Sequence, residues 1–167
     1  FSDIVRFELL YTYGGVWIDS TVLVHGEWLR QLPEEVVLQQ YKPGRDGKKI
    51  YVSSWFLKFP AGHPFVKRIR DLLYRYWQDN NRLRMYFLVH AFMHIASSEQ
   101  HNYLQNITPY ENSMPHWLML QMRQTKFSRN DLERVVQAGN IFKFTNKFKN
   151  ETERKNYKYL VEIVEKL

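Results

Sequence analysis

The sequence predicts a mixed α/β fold, and three observations support this prediction. The 167 residues are 44% hydrophobic and 25% charged, as in a globular domain rather than a disordered or fibrous chain. Short strand-like segments concentrate before residue 60, whereas apolar residues recur at helical spacing through most of the remainder. Glycines and prolines punctuate these segments without a linker or an internal repeat. We therefore expect a single domain over residues 1–167, with an α/β part at 1–60 and a mostly helical part at 61–167.

The first part of the chain alternates helix and strand signals. Residues 2–13 carry apolar side chains at spacings of three and four, with Ser2 as the expected N-cap, and Gly14 and Gly15 end this helix. The elements expected next are a strand at 16–19, an extended stretch at 21–24, a short helix at 28–32, a strand at 36–41, a PGRDGKK turn, and one or two strands at 50–59.

Helical spacing dominates the second part. Pro64 occupies a first-turn position, and Ser128 is the expected cap of a helix that ends at Ala138. The elements expected here are helices at 65–78, 82–98, 115–124, 129–138 and 151–167, with a strand in the IFKFT segment.

Composition and charge exclude several classes of protein. The chain has no cysteine, which excludes a disulfide scaffold, a thiolate metal site and a cysteine nucleophile. No apolar run approaches the roughly 20 residues of a membrane-spanning helix. The formal net charge of +7 favours anionic partners such as nucleic acid, anionic lipid headgroups or phosphorylated substrates. The sequence has no P-loop, no Rossmann glycine fingerprint and no nucleophile elbow.

The most informative stretch is SDIVRFELLYTYGGVWIDST at the start of the chain. It places Asp3 and Arg6 on one face of the first helix, because residues three apart are neighbours on a helix surface. After two glycines, a strand delivers Asp19 at its carboxyl end, where ligands gather in open α/β sheets. A carboxylate followed by a hydroxylated turn is also a suitable seat for a hard divalent cation with phosphate oxygens.

This block, SDxxRFELLYxYGGVWID, resembles the family-32 glycosyltransferases, and specifically the bacterial capsular polysaccharide synthesis proteins among them. Looser similarities follow in FPAGHPF, YFLVH, the Asn-Ser-Met-Pro loop and KFTNK. The resemblance implies a GT-A-type fold that transfers a sugar from a nucleotide-sugar donor to a growing glycan, with retention at the anomeric carbon. The family motif lies in the middle of its domain, whereas this chain begins on it. We therefore expect part of the N-terminal nucleotide-binding half to lie upstream.

The resemblance also implies roles for individual residues. Asp3 and Arg6 match positions that contact the donor sugar and ribose, and Asp19 matches the first carboxylate of the family's DxD motif, whose metal bridges the donor diphosphate. The residues implied are Asp19 and Arg6 as catalytic, Asp3, Arg6, Gly14, Gly15 and Lys147 as donor-binding, Asp19 and Thr21 as metal ligands, and His90 as lining the site. Trp55 is a further candidate for lining the site, because aromatic rings stack on sugars.

The second DxD position departs from the family pattern. It is Thr21, whose neutral hydroxyl is a weaker ligand for Mn²⁺ or Mg²⁺ than a carboxylate. Three alternatives stay open: a weakly held cation, a cation completed by another residue, or metal-free stabilisation of the leaving group by lysine or arginine.

The implied partners are a UDP- or GDP-sugar and a glycan or lipid-linked acceptor, with the enzyme cytoplasmic and in peripheral contact with the inner membrane face. The alternative is a catalytically inactive remnant, or a module of the same fold that binds the acceptor or a partner. A nucleic-acid-binding domain is suggested only by charge and aromatic content, without a recognition motif, so no nucleic-acid partner is expected.

Each of the weaker candidates also has a purely structural interpretation. His90 suits a core position, Trp55 suits buried packing, and Lys147 suits a solvated strand edge. His90 and His94 have a spacing compatible with zinc, but the glutamate of an HExxH motif is missing.

Overall fold

The structure, a computed structural model, describes residues 1–39, 52–108 and 110–166. These residues contain both strands and helices, which confirms the mixed α/β class. In chain order the elements are α1 (Ser2–Tyr13), β1 (Gly15–Ile18), β2 (Val22–Val24), a 3₁₀ helix (Glu27–Gln31), β3 (Val36–Gln39), β4 (Val52–Phe59), α2 (Pro64–Asp79), α3 (Leu88–Glu99), α4 (Tyr103–Asn106), β5 (Tyr110–Glu111), α5 (Ser113–Met122), α6 (Arg129–Ala138), β6 (Ile141–Lys143) and α7 (Glu151–Val164).

The chain divides into two compact units. Unit 1 comprises Phe1–Asp19 and Leu32–Asn112, and unit 2 comprises Ser20–Gln31 and Ser113–Leu167. The single catalytic domain expected over residues 1–167 stays a prediction. None of the described helices is both long enough and apolar enough to cross a bilayer.

Unit 1 is built on a four-stranded mixed sheet with the order β1-β4-β3-β5. Strand β4 is antiparallel to both β1 and β3, and the short β5 runs parallel to β3. Gly15 pairs with Phe59 and Ile18 pairs with Phe56, so β1 ends beside the middle of β4. Immediately after β1, the backbone N–H of Asp19 donates to the carbonyl of Trp55 at 3.0 Å. This backbone bond fixes the position of Asp19 relative to the sheet.

The core of unit 1 lies between this sheet and its helices. Its fully buried side chains come from α1, the two central strands, α2 and α3, and each large apolar side chain contributes roughly 1.5–3 kcal/mol on burial. They include Phe7, Leu10, Val37, Leu57, Phe59, Phe65, Ile69 and Met93.

Unit 2 packs helices against the antiparallel pair β2–β6. Its core includes Leu118, Met122, Leu132, Val136, Phe142 and Leu160. Ser128 and Asp131 form a reciprocal capping box at the start of α6, and the Asn150 side chain caps α7. Such caps satisfy backbone N–H groups that the first helical turn leaves without partners.

A buried asparagine closes the turn between α5 and α6. The Asn156 amide donates to the carbonyls of Met122 and Thr125 at 2.9 and 2.7 Å, and its oxygen accepts the backbone N–H of Phe127 at 3.1 Å. Satisfying polar backbone groups in this way is required when a turn is buried.

Several expected boundaries were wrong. The helix expected at 82–98 begins only at Leu88. The Tyr76 hydroxyl donates to the carbonyl of Arg82 and accepts the backbone N–H of Arg84, which holds this stretch out of helical conformation. Ser2 is the first residue of α1 rather than its cap, which is Phe1.

The remaining differences are smaller. The helix expected at 28–32 is a 3₁₀ helix, residues 52–59 form one strand, the 141–145 strand ends at Lys143, and α4 and β5 were not anticipated. The PGRDGKK turn lies outside the described residues.

Among the described glycines of unit 1, Gly14 lies closest to another segment of backbone. Its φ is +65°, and a Cβ there would lie 2.5 Å from the backbone nitrogen of Ala61. Gly15 has a φ of +92°, but a Cβ there would meet nothing within 4 Å. A side chain at Gly15 would therefore cost backbone strain alone, whereas a side chain at Gly14 would add a steric clash.

We expect Gly14→Ala to lower the free energy of unfolding by roughly 3 kcal/mol or more, because it adds a backbone clash to the cost of left-handed geometry. Gly15→Ala is the matched control, with an expected loss of about 1–2 kcal/mol from strain alone. Urea unfolding of both variants measures the difference. Equal losses would contradict the close approach at Gly14.

Candidate functional site

Arg6 joins two carboxylates at the end of β1. Its Nη1 donates to Asp3 Oδ1 at 2.8 Å, and its Nη2 donates to Asp19 Oδ1 at 3.0 Å. Asp3 comes from the first turn of α1, whereas Asp19 follows β1, so the pairing ties the helix to the strand. We call Asp3, Arg6 and Asp19 the Arg6 cluster.

Trp17 completes the surroundings of this cluster. Its indole Nε1 donates to the same Asp19 Oδ1 at 2.9 Å, and the Arg6 guanidinium carbon lies 5.2 Å from the Trp17 ring centroid. One carboxylate oxygen therefore accepts from two donors, which fixes the orientation of the Asp19 side chain. The ring also provides a face for the guanidinium, as in a cation–π contact.

The members of the cluster differ in their access to solvent. Arg6 is 4% exposed, and its Nε is buried without a hydrogen-bond partner among the described residues. The side chains of Asp3 and Asp19 are 39% and 27% exposed. The cluster therefore presents carboxylates outward and keeps its cation inside.

The backbone carbonyl of Trp55 accepts a hydrogen bond from the backbone N–H of Asp19. Its ring is only 7% exposed, and its Nε1 donates to Asn112 Oδ1 at 3.2 Å. The structure thus brings Trp55 next to Asp19 while burying the face that would stack on a sugar.

His90 lies half-buried on α3, with its ring edge-on to Phe87 at 5.3 Å between centroids. The pKa of His90 is lowered to about 4, mainly because the ring is buried; the negative charge of Asp3 opposes this shift, and the positive charge of Arg6 adds to it. His90 is therefore a neutral imidazole at neutral pH and is electrostatically linked to the Arg6 cluster. Its Nδ1 is buried and has no hydrogen-bond partner among the described residues.

The two glycines and Lys147 occupy different places. Gly14 ends α1 and Gly15 begins β1, so both precede the strand that leads to the Arg6 cluster. Lys147 is exposed in unit 2, and its backbone N–H donates to Thr145 Oγ1 at 3.1 Å. A donor-binding role for these three residues stays a prediction.

Thr21 has a cation beside it within unit 2. Lys143 Nζ donates to Thr21 Oγ1 at 2.5 Å, and the backbone N–H of Phe144 donates to the Thr21 carbonyl at 2.8 Å. A lysine ammonium on this hydroxyl disfavours a divalent cation at the same oxygen. The role of Thr21 as a metal ligand and the three alternatives left open by the sequence stay predictions.

Within residues 1–39, 52–108 and 110–166, no group of three or more His, Asp or Glu side chains is arranged to hold a metal ion. The HxxxH pair of His90 and His94 on α3 therefore has no third His, Asp or Glu ligand among those residues.

Two contributors to these sites were not anticipated from sequence. Trp17 was assigned only to a strand, although its spacing of two from Asp19 places both side chains on one face of an extended segment. Lys143 was noted in KFTNK, but Lys147 was chosen as the donor-binding lysine. Lys143 lies opposite Val22 because β2 pairs with β6. These segments are more than a hundred residues apart, so no local sequence pattern predicts the pairing.

The sequence model of capsular polysaccharide synthesis proteins matches residues 1–163. The chain therefore belongs to the capsular polysaccharide synthesis protein family, as the opening motif had suggested. This membership associates it with the biosynthesis of capsular polysaccharide. No curated protein and no solved structure matches the chain.

The lowered pKa of His90 predicts a pH-dependent stability. Below about pH 6.5 the unfolded chain protonates this histidine, whereas the folded chain keeps it neutral down to about pH 4. The unfolded state then binds more protons, so stability falls as the pH decreases through this window. We expect His90 to account for a loss of about 2 kcal/mol between pH 7.5 and pH 5.

Urea unfolding of His90→Asn at both pH values tests this assignment. The variant should lose most of the pH dependence; burial also lowers the pKa of His94, which retains a smaller trend of the same sign. His101→Asn is the matched control, because His101 is exposed and asparagine tolerates its φ of 54°. An unchanged pH dependence in His90→Asn would contradict a buried neutral imidazole.

Proposed function

We propose that this protein is a glycosyltransferase of capsular polysaccharide synthesis that moves a sugar from a UDP- or GDP-sugar to a glycan or lipid-linked acceptor. The observation that carries the proposal is the Arg6 cluster, in which two partly exposed carboxylates are fixed by one buried guanidinium. Family membership supports the biosynthetic context. The finer assignments to a GT-A fold, a retaining reaction and the cytoplasmic membrane face belong to the same proposal.

The chemistry of the cluster suits a sugar. Ionised carboxylates only accept hydrogen bonds, and hydroxyl groups of a sugar or ribose are donors of matching geometry. Charge-assisted bonds of this kind are roughly twice as strong as neutral ones. Asp3 and Asp19 are therefore the groups that would contact the donor.

Arg6 has a different part in this scheme. Its guanidinium is almost fully buried and bonded to both carboxylates, so it acts through them as a positioning residue. Holding two charged groups in a fixed orientation before the substrate arrives reduces the reorganisation that the reaction would otherwise require.

In the proposed transfer, the bond between the anomeric carbon and the donor phosphate oxygen breaks, and a bond to the acceptor hydroxyl oxygen forms. The nucleoside diphosphate leaves with the electron pair, and the acceptor proton is released. The neutral imidazole of His90 can line the site and form hydrogen bonds without adding charge, but its pKa of about 4 makes it too weak a base to be assigned as the proton acceptor.

We expect Asp19→Asn and Asp3→Asn to lower the rate of nucleoside diphosphate release by about a hundredfold or more, because each removes a fixed charge from the donor contact. The measurement is turnover of a panel of UDP- and GDP-sugars by the purified protein with capsular oligosaccharide. Unfolding midpoints measured in parallel show whether each variant is folded at the assay temperature.

Asp71→Asn is the matched control, because Asp71 lies on α2 and does not belong to the Arg6 cluster. Its carboxylate forms an exposed ion pair with Lys67, with an N–O distance of 2.7 Å. This variant should turn over like the parent. Full activity in Asp19→Asn would overturn the proposed role. Acceptor binding without turnover by the parent protein would instead favour the non-catalytic module.

A further inference from the structure

The loop between α2 and α3 exposes large apolar side chains next to arginines. Residues 82–86 have the sequence RLRMY, and all five are exposed. Leu83 and Met85 are about half exposed, and Tyr86 is 83% exposed. Basic and apolar side chains therefore alternate along one short segment at the surface of unit 1. We call residues 82–86 the RLRMY loop.

Hydrogen bonds hold the backbone of this loop at both ends. The Tyr76 hydroxyl, on α2, donates to the carbonyl of Arg82 and accepts the backbone N–H of Arg84. At the other end, the backbone N–H of Leu88, the first residue of α3, donates to the carbonyl of Met85 at 3.2 Å. The exposed side chains therefore protrude from a backbone that is tied to both helices.

The charge along this part of the chain has one sign. No acidic residue lies between Asp79 and Glu99, and Arg82 and Arg84 are the only lysine or arginine residues in that interval. Neither arginine side chain has an ion-pair partner among the residues that the structure describes. A guanidinium has five N–H donors and no acceptor, and it binds phosphate oxygens well.

The combination of exposed arginines with exposed apolar side chains suits an anionic bilayer. At a bilayer surface, apolar side chains enter the boundary of the acyl chains, arginine heads stay with the headgroup phosphates, and tyrosine occupies the level between them. A soluble polyanion would use the two arginines but would leave Leu83 and Met85 in water.

We propose that the RLRMY loop is a membrane-contact site, which inserts Leu83 and Met85 into the interface of an anionic lipid bilayer and places Arg82 and Arg84 on the lipid phosphates. The inference rests on the proposed function, because a transferase with a lipid-linked acceptor works at a bilayer surface. It deepens that function by assigning the surface contact to particular residues.

Aromatic rings connect the loop to the candidate site within unit 1. The ring centroids of Tyr86 and Phe87 lie 4.8 Å apart, and those of Phe87 and His90 lie 5.3 Å apart. His90 is electrostatically linked to Asp3 and Arg6. A bilayer bound at Tyr86 would therefore be separated from His90 by a single ring, which would bring an acceptor carried on that bilayer close to the site.

The test is flotation of the purified protein with vesicles of phosphatidylcholine, alone or mixed with phosphatidylglycerol. We expect binding to the anionic vesicles that weakens as salt is added. The double variant Leu83→Ser with Met85→Ser should bind about tenfold more weakly or worse, because less apolar surface enters the interface. Leu9→Ser is the matched control and should bind like the parent, since Leu9 on α1 is similarly exposed.

A second pair of variants tests the arginines. Arg82→Gln with Arg84→Gln should lower binding to anionic vesicles about tenfold and remove most of the preference over phosphatidylcholine alone. Lys126→Gln with Lys166→Gln makes the same change in net charge at exposed residues of unit 2 and should have a much smaller effect. Unfolding midpoints measured in parallel show that each variant is folded.

Insertion of the loop can be measured directly, because the chain has no cysteine. An environment-sensitive fluorophore attached to Leu83→Cys should increase in emission when anionic vesicles are added, since its surroundings become apolar. The same fluorophore on Leu9→Cys should not respond. Unchanged emission from labelled Leu83→Cys would overturn the insertion.

The outcomes distinguish this inference from the proposed function. No binding to anionic vesicles, or equal binding by the loop variants and their controls, would overturn the membrane contact, whereas sugar transfer to a soluble oligosaccharide would be unaffected. Vesicle binding that depends on the loop, without sugar transfer by the parent protein, would support the contact and count against the transferase. Loop-dependent binding to heparin but not to vesicles would overturn the inference in favour of a soluble polyanion.

Discussion

A guanidinium that is 4% exposed requires counter-charges, because an unpaired buried charge costs several kcal/mol. Arg6 finds them in Asp3, one turn earlier on α1, and in Asp19, which follows β1. The two ion pairs tie the first turn of α1 to the end of β1. Gly14 lies between these elements, and its left-handed backbone passes within a distance of Ala61 that excludes a side chain.

Unit 2 contains an ion pair with the opposite orientation. Arg123 pairs with Glu153 at 2.9 Å, but here the carboxylate side chain is 3% exposed and the guanidinium 22%. Glu153 also accepts the backbone N–H of Lys149, which fixes the start of α7. In each unit the more buried partner holds two segments of the chain together.

The residue at the second DxD position is tied to a distant strand. The Thr21 hydroxyl accepts a hydrogen bond from Lys143, so this contact depends on the pairing of β2 with β6. A chain with a net charge of +7 attracts anionic substrates over its whole surface.

The sequence by itself determined the features that depend on neighbours a few residues away. The helix of residues 2–13 and the Asp3–Arg6 pair follow from residue spacing. The start of α2 at Pro64 and the cap at Ser128 follow from local chemistry, and the family follows from the dense opening motif. Tertiary structure decided the meeting of Arg6 with Asp19, the contact of Lys143 rather than Lys147 with Thr21, and the late start of α3, where the Tyr76 hydroxyl binds the preceding loop. These contacts join segments distant in sequence or depend on one side chain's reach, so no local periodicity encodes them.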